Sequence, residues 1–404
     1  MNPMPLPAIW LIVLIVGLPQ LSETVYTPSL PDIAHALLTS ESMAEYTLTI
    51  YLLGFAIGTL FWGKTSDKLG RKPCVIAGLL IFIVGCIGCY SSHSIEILMV
   101  SRLVQAFGGS IGSVLGQAIC RDAFHGPALG RVYSATGSAL ALFPALGPVC
   151  GGLIAEIFGW TNIFVFLAGF AVILAVIVIF ILPETHVHAS RKQSSIISIA
   201  GRLAIDKKVT GFALIVAGCN GILFSYFAEG SFYLITGLNL SPSTYGLSFM
   251  AIAASTMLGG IMSRRLHNKY SSKEIMSYGL FVISLFTTIF SIIALINHYL
   301  WLLPPHLMIA VTIFSQMGCA FGICMATSNA LALALVDYKH AVGTASSLFG
   351  FFYYCLISAF TFFMGLLHNG TLLPMPLYFL ALSYFMIAVN RICLRDQEDL
   401  QKKL

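Results

Sequence analysis

Twelve long apolar segments constrain the fold of this 404-residue chain more than any other feature of its sequence. A helix needs roughly 20 apolar residues to cross a bilayer, and each segment approaches or exceeds that length. Charged residues make up only 9% of the chain, against about 25% in soluble domains. Because lipid offers the backbone no hydrogen-bond partners, these segments must be helical. The sequence therefore predicts an all-α polytopic membrane protein.

The segments and the polar stretches between them define the domain organisation. We place the segments at residues 8–36, 44–62, 74–90, 95–120, 129–157, 162–182, 210–236, 244–263, 275–296, 305–336, 342–368 and 376–394. The longest polar interruption separates two sets of six. We therefore predict four parts: an N-terminal six-helix bundle at 1–184, a cytoplasmic linker at 185–209, a C-terminal six-helix bundle at 210–394 and a cytoplasmic tail at 395–404.

The basic residues give the orientation in the membrane. Every Lys and Arg except Arg102 lies in alternate loops, at the segment ends that border those loops or after the last segment, and the opposite loops contain none. By the positive-inside rule both termini are then cytoplasmic. The net charge of +5 comes from these loop residues, so it indicates no nucleic-acid partner. The ten cysteines lie in apolar segments, where a thiol behaves as a small hydrophobe, and we infer neither disulfides nor a metal site.

A short basic stretch follows the second segment and contains Gly63, Asp67, Gly70 and Arg71. The two glycines permit a close turn. The cations hold the stretch on the cytoplasmic side, and Asp67 is available for a helix end or an arginine. We interpret these residues as a cytoplasmic gate. The alternative is an ordinary basic loop that stops translocation.

The fifth segment combines glycines with two prolines, at Pro144, Gly147, Pro148, Gly151 and Gly152. Glycines four residues apart let a second helix approach closely, and prolines remove backbone hydrogen bonds and favour a kink. This pattern predicts a hinge or seal, with a simple packing seam as the alternative.

Ionisable residues inside the segments are the candidates for proton coupling. Arg102, followed by Gln105, lies in segment four, Glu23 and Asp32 lie in segment one, and Glu229 lies in segment seven. A charge inside a membrane is costly, so it marks function unless it serves as a structural tie. Counted along the segments from their outer ends, Arg102 and Asp32 lie near the outer boundary of the membrane. Glu23 lies deeper in the membrane and is best placed to carry a proton. Asp32 alternatively contacts water, and Glu229 is either a structural partner or a contact for a cationic or hydroxylated substrate.

Aromatic and amide side chains complete the candidate substrate cavity, which would suit amphipathic organic molecules. Packing or contact with lipid is the alternative for each of them. They are Tyr26, Tyr51, Phe55, Gln117, Asn220, Tyr226, Asn329, Tyr353 and Tyr354.

These motifs together resemble the major facilitator superfamily, within it the drug:proton antiporter family with 12 spans and its bicyclomycin and chloramphenicol resistance branch. The gate stretch resembles the signature loop of the superfamily, segment five its antiporter motif, and Arg102 with Gln105 a motif of its proton-coupled exporters. Further likeness lies in Tyr26 to Pro31, Thr47 to Phe55, Arg121 with Asp122, Ser328 to Ala330 and Gly343 to Ser347.

The resemblance implies two pseudo-symmetric bundles in the bacterial inner membrane and export by alternating access. It also implies that Arg71 pairs with Asp122, that the proton gradient drives transport without a cofactor, and that a small organic molecule and protons are the partners. We expect a monomer in the lipid bilayer.

This chain departs from the usual sequence of the branch at two positions. The branch usually places its acid where this chain has Thr24, one position after Glu23, and Glu229 precedes Gly230 where a Gly-Pro-Phe sequence is common. The identities of the proton carrier and of the substrate therefore stay open.

A proton-coupled uptake symporter of the same fold is the nearest alternative function. A membrane-embedded enzyme is disfavoured because the sequence shows no His-rich metal cluster, nucleotide-binding loop or nucleophile-base pattern.

Overall fold

The computed structural model describes residues 6–185 and 196–394, which are almost entirely helical. The helices are α1 (Ile9–Thr24), α2 (Leu30–Ala36), α3 (Glu41–Leu69), α4 (Arg71–Tyr90), α5 (Ile95–Gly109), α6 (Ile111–Ala123), α7 (Gly126–Phe158), α8 (Asn162–Ile181), α9 (Ile196–Ile205), α10 (Lys207–Ser231), α11 (Pro242–Leu266), α12 (Ser272–Tyr299), α13 (Pro305–Ala334), α14 (Val342–Leu367) and α15 (Pro374–Cys393).

Within the described residues, 12 helical stretches are long and apolar enough to cross a membrane. The all-α fold and the predicted number of spans are confirmed. The chain divides into two compact units, the first comprising Met1–Lys192 and Ser241–Phe249 and the second comprising Gln193–Leu240 and Met250–Leu404. Part of the predicted linker, and the predicted tail at 395–404, lie outside the described residues.

The first span is broken where the sequence predicted one continuous segment. α1 ends at Thr24, a 3-10 turn follows at Thr27–Ser29, and α2 then begins. Pro28 has no N–H to bond the Thr24 carbonyl, which would be its partner in a continuous helix. The Thr27 hydroxyl donates to that carbonyl instead, at 2.8 Å. The proline therefore ends α1 close to Glu23.

The turn predicted at Gly63 is wrong. α3 continues without interruption to Leu69, because Trp62 and Ser66 are buried on one face while charged side chains remain exposed on the other. Trp62 Nε1 donates to the Phe107 carbonyl at 2.8 Å, which fixes this end of α3 against α5. The chain turns only at Gly70, whose φ of 99° lies in the region that favours glycine.

Close contacts between helices hold α5 in place within the first unit. A Cβ atom on Gly54 of α3 would lie 2.6 Å from the Leu103 carbonyl. A Cβ atom on Gly85 of α4 would collide with the backbone of Gln105. Helices packed this closely fix the side chains between them. The two glycines therefore determine where Arg102 and Gln105 lie.

Candidate functional site

Arg102 is fully buried on α5. Its Cζ atom lies 4.0 Å from the ring centroid of Tyr26 and 4.1 Å from that of Tyr51. A desolvated cation gains about 2 kcal/mol from an aromatic face. The guanidinium also donates from Nη1 to Gln105 Oε1 at 2.6 Å. The structure therefore brings Arg102 together with two of the predicted cavity residues.

The Nε and Nη2 atoms of Arg102 have no hydrogen-bond acceptor in the described part of the chain. Their N–H groups lie on one edge of the guanidinium and are nearly parallel, the arrangement that a carboxylate accepts in a bidentate pair. A buried donor without an acceptor costs about 1–3 kcal/mol. This edge of Arg102, which we call the free edge, is therefore suited to an oxygen acceptor.

Glu23 lies on the last turn of α1 and is 1% exposed. Arg102 is the cation that acts on it electrostatically. The Oε1 atom of Glu23 has no hydrogen-bond partner among the described residues. The neighbouring Thr24 instead lies against Gly147 of α7. The position where the resemblance places an acid thus contacts α7, and Glu23 is the acid that interacts with Arg102.

Asp32 occupies a different environment. It is exposed on the first turn of α2, and the charged group acting on it is His35. Across residues 6–185 and 196–394 no hydrogen bond or ion pair joins it to Arg102. The similar depth of the two residues in the sequence therefore does not bring them into contact.

The candidate gate is built around Arg71, whose side chain is 5% exposed. Its Nε atom donates to Asp122 Oδ2 at 2.8 Å, and its Nη1 atom donates to Asp67 Oδ1 at 2.7 Å. The same Nη1 atom donates to the Ser66 hydroxyl. The contact between Arg71 and Asp122 that the resemblance implies is therefore present, and Asp67 binds the same arginine.

Glu184, which follows α8, completes this cluster. Its Oε1 atom accepts from the Arg71 backbone N–H at 2.9 Å, and its Oε2 atom accepts from the Lys72 backbone N–H at 3.1 Å. Those N–H groups belong to the first two residues of α4 and have no hydrogen-bond partner inside the helix. A Cβ atom on Gly70 would lie 2.7 Å from Glu184 Oε2. Gly70 is thus required both by its backbone angle and by the space that Glu184 occupies.

The glycine and proline motif lies within α7, which runs through both Pro144 and Pro148. Gly147 lies against Thr24, and Gly151 lies against the Val25 carbonyl, at the break that follows α1. A side chain on either glycine would push α1 away from α7.

The other face of α7 contacts residues of α11 that belong to the same unit. Gly152 lies against the Pro242 carbonyl, and the Pro148 carbonyl lies against Gly246. The motif is a packing seam in this structure, and its role as a hinge stays a prediction.

The second unit contains a buried pair formed by a glutamate and a histidine. Glu229, near the end of α10, is 1% exposed, and its Oε2 atom lies 2.8 Å from His368 Nδ1. His368 directly follows α14, and its ring packs on Phe232. Phe232 begins a π-helical turn at Phe232–Thr236, a distortion that is frequent at functional sites. Glu229 therefore has a specific partner that the sequence did not predict.

The remaining cavity candidates fall into different environments. Asn329 donates to Ser263 Oγ at 3.0 Å and to the Met325 carbonyl, so it ties α13 to α11. Asn220 donates to the Val216 carbonyl of its own helix. Gln117 is exposed. Phe55 and Tyr226 are fully buried, and Tyr353 and Tyr354 are half-buried and stack at 4.8 Å between ring centroids.

Comparison with known proteins decides the family. A model described as Major Facilitator Superfamily matches residues 12–388. The chain belongs to the Major Facilitator Superfamily. It is therefore a multi-pass membrane transporter, and the predicted family is confirmed.

Individual relatives of this facilitator agree with that assignment. A protein named "Uncharacterized transporter" from Rickettsia bellii (strain RML369-C) is 35% identical over 380 residues, or 93% of each chain. The "Bicyclomycin resistance protein homolog" of Haemophilus influenzae is 28% identical over 339 residues, or 82% of each chain. The crystal structure of a bacterial homologue of the human lysosomal transporter Spinster has the same fold. It has a TM-score of 0.74 and 14% identity, and the match covers 96% of this chain and 97% of the other.

Three polar residues of this facilitator were missed from the sequence. Glu45 is fully buried on α3, and its place inside the predicted segment 44–62 was the available signal. His368 lies at the end of the predicted segment 342–368 and carried no motif. Glu184 lies 113 residues from its partner Arg71, so no local pattern could reveal the contact.

Proposed function

We propose that this facilitator is a proton-driven exporter of small amphipathic organic molecules, such as drugs, a metabolite or a siderophore, in the bacterial inner membrane. The observation that carries the proposal is the buried carboxylate of Glu23, on which the buried cation of Arg102 acts electrostatically. Buried acids coupled to a single cation are suited to bind and release protons. The name of the Haemophilus influenzae relative supports export of a drug-like compound.

Glu23 carries the proton in this mechanism, and Arg102 modulates it. A proton that reaches Glu23 from outside neutralises the carboxylate and weakens its attraction to Arg102. The substrate then leaves to the outside, and the proton is released to the cytoplasm when the transporter opens inward. Alternating access of this kind needs the proton gradient and no cofactor, and we propose that a monomer carries it out.

The test is export into inverted membrane vesicles with and without a proton gradient, using a panel of amphipathic compounds. We expect wild-type protein to accumulate substrate only when the gradient is present. Glu23→Gln should abolish accumulation and retain substrate binding, while Glu156→Gln, which changes an exposed acid on α7, should behave as wild type. Accumulation by Glu23→Gln against a gradient would transfer the role to Asp32 or Glu229. Loss of substrate from the vesicles would instead support the uptake symporter.

The proposed orientation has a separate test. With both termini cytoplasmic, an impermeant thiol reagent applied to whole cells should label a cysteine placed at position 371, between α14 and α15. It should not label one at position 192, which lies outside the described residues. The opposite pattern would reverse the topology.

A further inference from the structure

Two cysteines of α4 lie beside the partner of Arg102. Gly85 and Gly88 bring α4 against α5, where they contact the backbone of Gln105 and the side chain of Ser101. Cys86 and Cys89 follow on the same stretch, and both are fully buried. The close packing of the two helices therefore places two thiols at Gln105.

Hydrogen bonds connect these thiols to the guanidinium. Gln105 Nε2 donates to Cys86 Sγ at 3.0 Å, and Gln105 Oε1 accepts from Arg102 Nη1 at 2.6 Å. Cys89 Sγ lies 4.0 Å from Gln105 Oε1. A flipped amide would turn its N–H groups toward a cation that has only donors. Cys86 thus accepts the bond that keeps the amide oxygen on Arg102.

The orientation of Gln105 determines which edge of Arg102 stays free. Gln105 occupies Nη1, and the edge formed by Nε and Nη2 is left without an acceptor among the described residues. The titratable groups that interact with Arg102 from the surrounding elements are Glu23 from α1, Tyr26 from the break after α1, Tyr51 from α3, and Cys86 and Cys89 from α4. Of these, Glu23 is the carboxylate, so a rotation of Arg102 changes its distance from the proposed proton carrier.

We propose that Cys86 is a positioning residue for proton coupling, acting through Gln105 on Arg102. This inference rests on the proposed function. An opposite charge at close range changes the pH at which a carboxylate titrates by about 1–3 units. Partial displacement of Arg102 should therefore shift the pH of half-maximal export by about 0.5–1 unit.

The experiment compares Cys86→Ala, Cys86→Val and Cys86→Ser in proteoliposomes across a pH series. Alanine and valine remove the sulfur acceptor, alanine with a smaller and valine with a larger side chain than cysteine, whereas serine keeps an acceptor. We expect the first two to shift the pH of half-maximal export and serine to restore most of the wild-type profile. Cys89→Ala, whose contact is longer, should shift it less. Cys319→Ala, a control in an equally buried position of α13, should not shift it.

An unchanged profile in both Cys86→Ala and Cys86→Val would overturn the inference, as would an equal shift in Cys86→Ser. Thermal unfolding of each variant in detergent identifies any that fail to fold. If wild-type export does not require a proton gradient, the proposed function fails instead. The inference is then judged by the pH dependence of substrate binding without a gradient, where the same three variants must differ in the same order.

Discussion

The Glu184 carboxylate accepts a hydrogen bond from the backbone N–H of Arg71 at 2.9 Å. Arg71 thus binds Glu184 through its main chain, while its side chain binds Asp67 and Asp122. The end of α8 is thereby attached to the start of α4. Arg71 is held at both its backbone and its guanidinium, and neither can move without affecting the other.

Replacing Glu184 with Gln should weaken this attachment. Glutamine offers one acceptor oxygen for two N–H groups and lacks the negative charge that suits a helix N-terminus. Loss of such a cap costs about 0.5–2 kcal/mol. We expect a lower unfolding temperature in detergent and slower transport, with Glu156→Gln unchanged. Equal stability of both variants would show that the capping contact contributes nothing.

The two aspartates that bind Arg71 should differ in importance. The Asp122 side chain is 15% exposed and the Asp67 side chain is 57% exposed. Solvent screens the more exposed pair more strongly. Asp122→Asn should therefore reduce transport more than Asp67→Asn, and both proteins should be expressed at normal levels. Full activity of both variants would remove the gate role from this cluster.

Gly151→Ala should separate α7 from the break after α1, because its Cβ atom would collide with the Val25 carbonyl. Overpacking of this kind costs about 1–3 kcal/mol. Gly137→Ala is the matched control, since it lies on the same helix with nothing within 4 Å of its Cβ position. We expect reduced thermal stability and transport only for Gly151→Ala. Identical behaviour of the two variants would contradict the packing described for α7.

A double-mutant cycle tests the pair formed by Glu229 and His368. Their side chains are 2% and 10% exposed, so solvent screens their interaction only weakly, and each single substitution removes one of its two ionisable groups. We expect Glu229→Gln and His368→Gln to show a coupling of about 0.5–3 kcal/mol in thermal unfolding.

The pair formed by Lys208 and Asp337 serves as the comparison, because the Asp337 side chain is 62% exposed. Its coupling should stay below about 1 kcal/mol. Equal coupling in the two cycles would show that burial does not strengthen the contact of Glu229 with His368.

The sequence alone was enough to predict those features of the fold that depend on a single local requirement. The apolar length of each segment predicted the number of spans because a bilayer has a fixed thickness. It did not predict the break after Thr24, which depends on a bond from Thr27 that replaces the one Pro28 lacks. It also placed a turn at Gly63, where buried Trp62 and Ser66 instead continue the helix.

The sequence predicted which residues belong to the candidate site but not how they are arranged. Arg102, Glu23, Tyr26 and Tyr51 were each identified from position and residue type. The contacts of Arg102 with Tyr26 and Tyr51 depend on helix packing at glycines such as Gly85, which no single segment reveals. Glu184 illustrates the same limit, since it follows α8 and its partner Arg71 begins α4.

The distribution of the free thiols also decides how probes can be attached to this transporter. Four cysteines are partly accessible, at Cys150, Cys324, Cys355 and Cys393, and the other six are buried. A variant in which only these four are replaced would accept a fluorophore or spin label at a chosen site. It would also keep the sulfur of Cys86 in place. A completely cysteine-free version would report distances from a protein whose Arg102 had already lost part of its support.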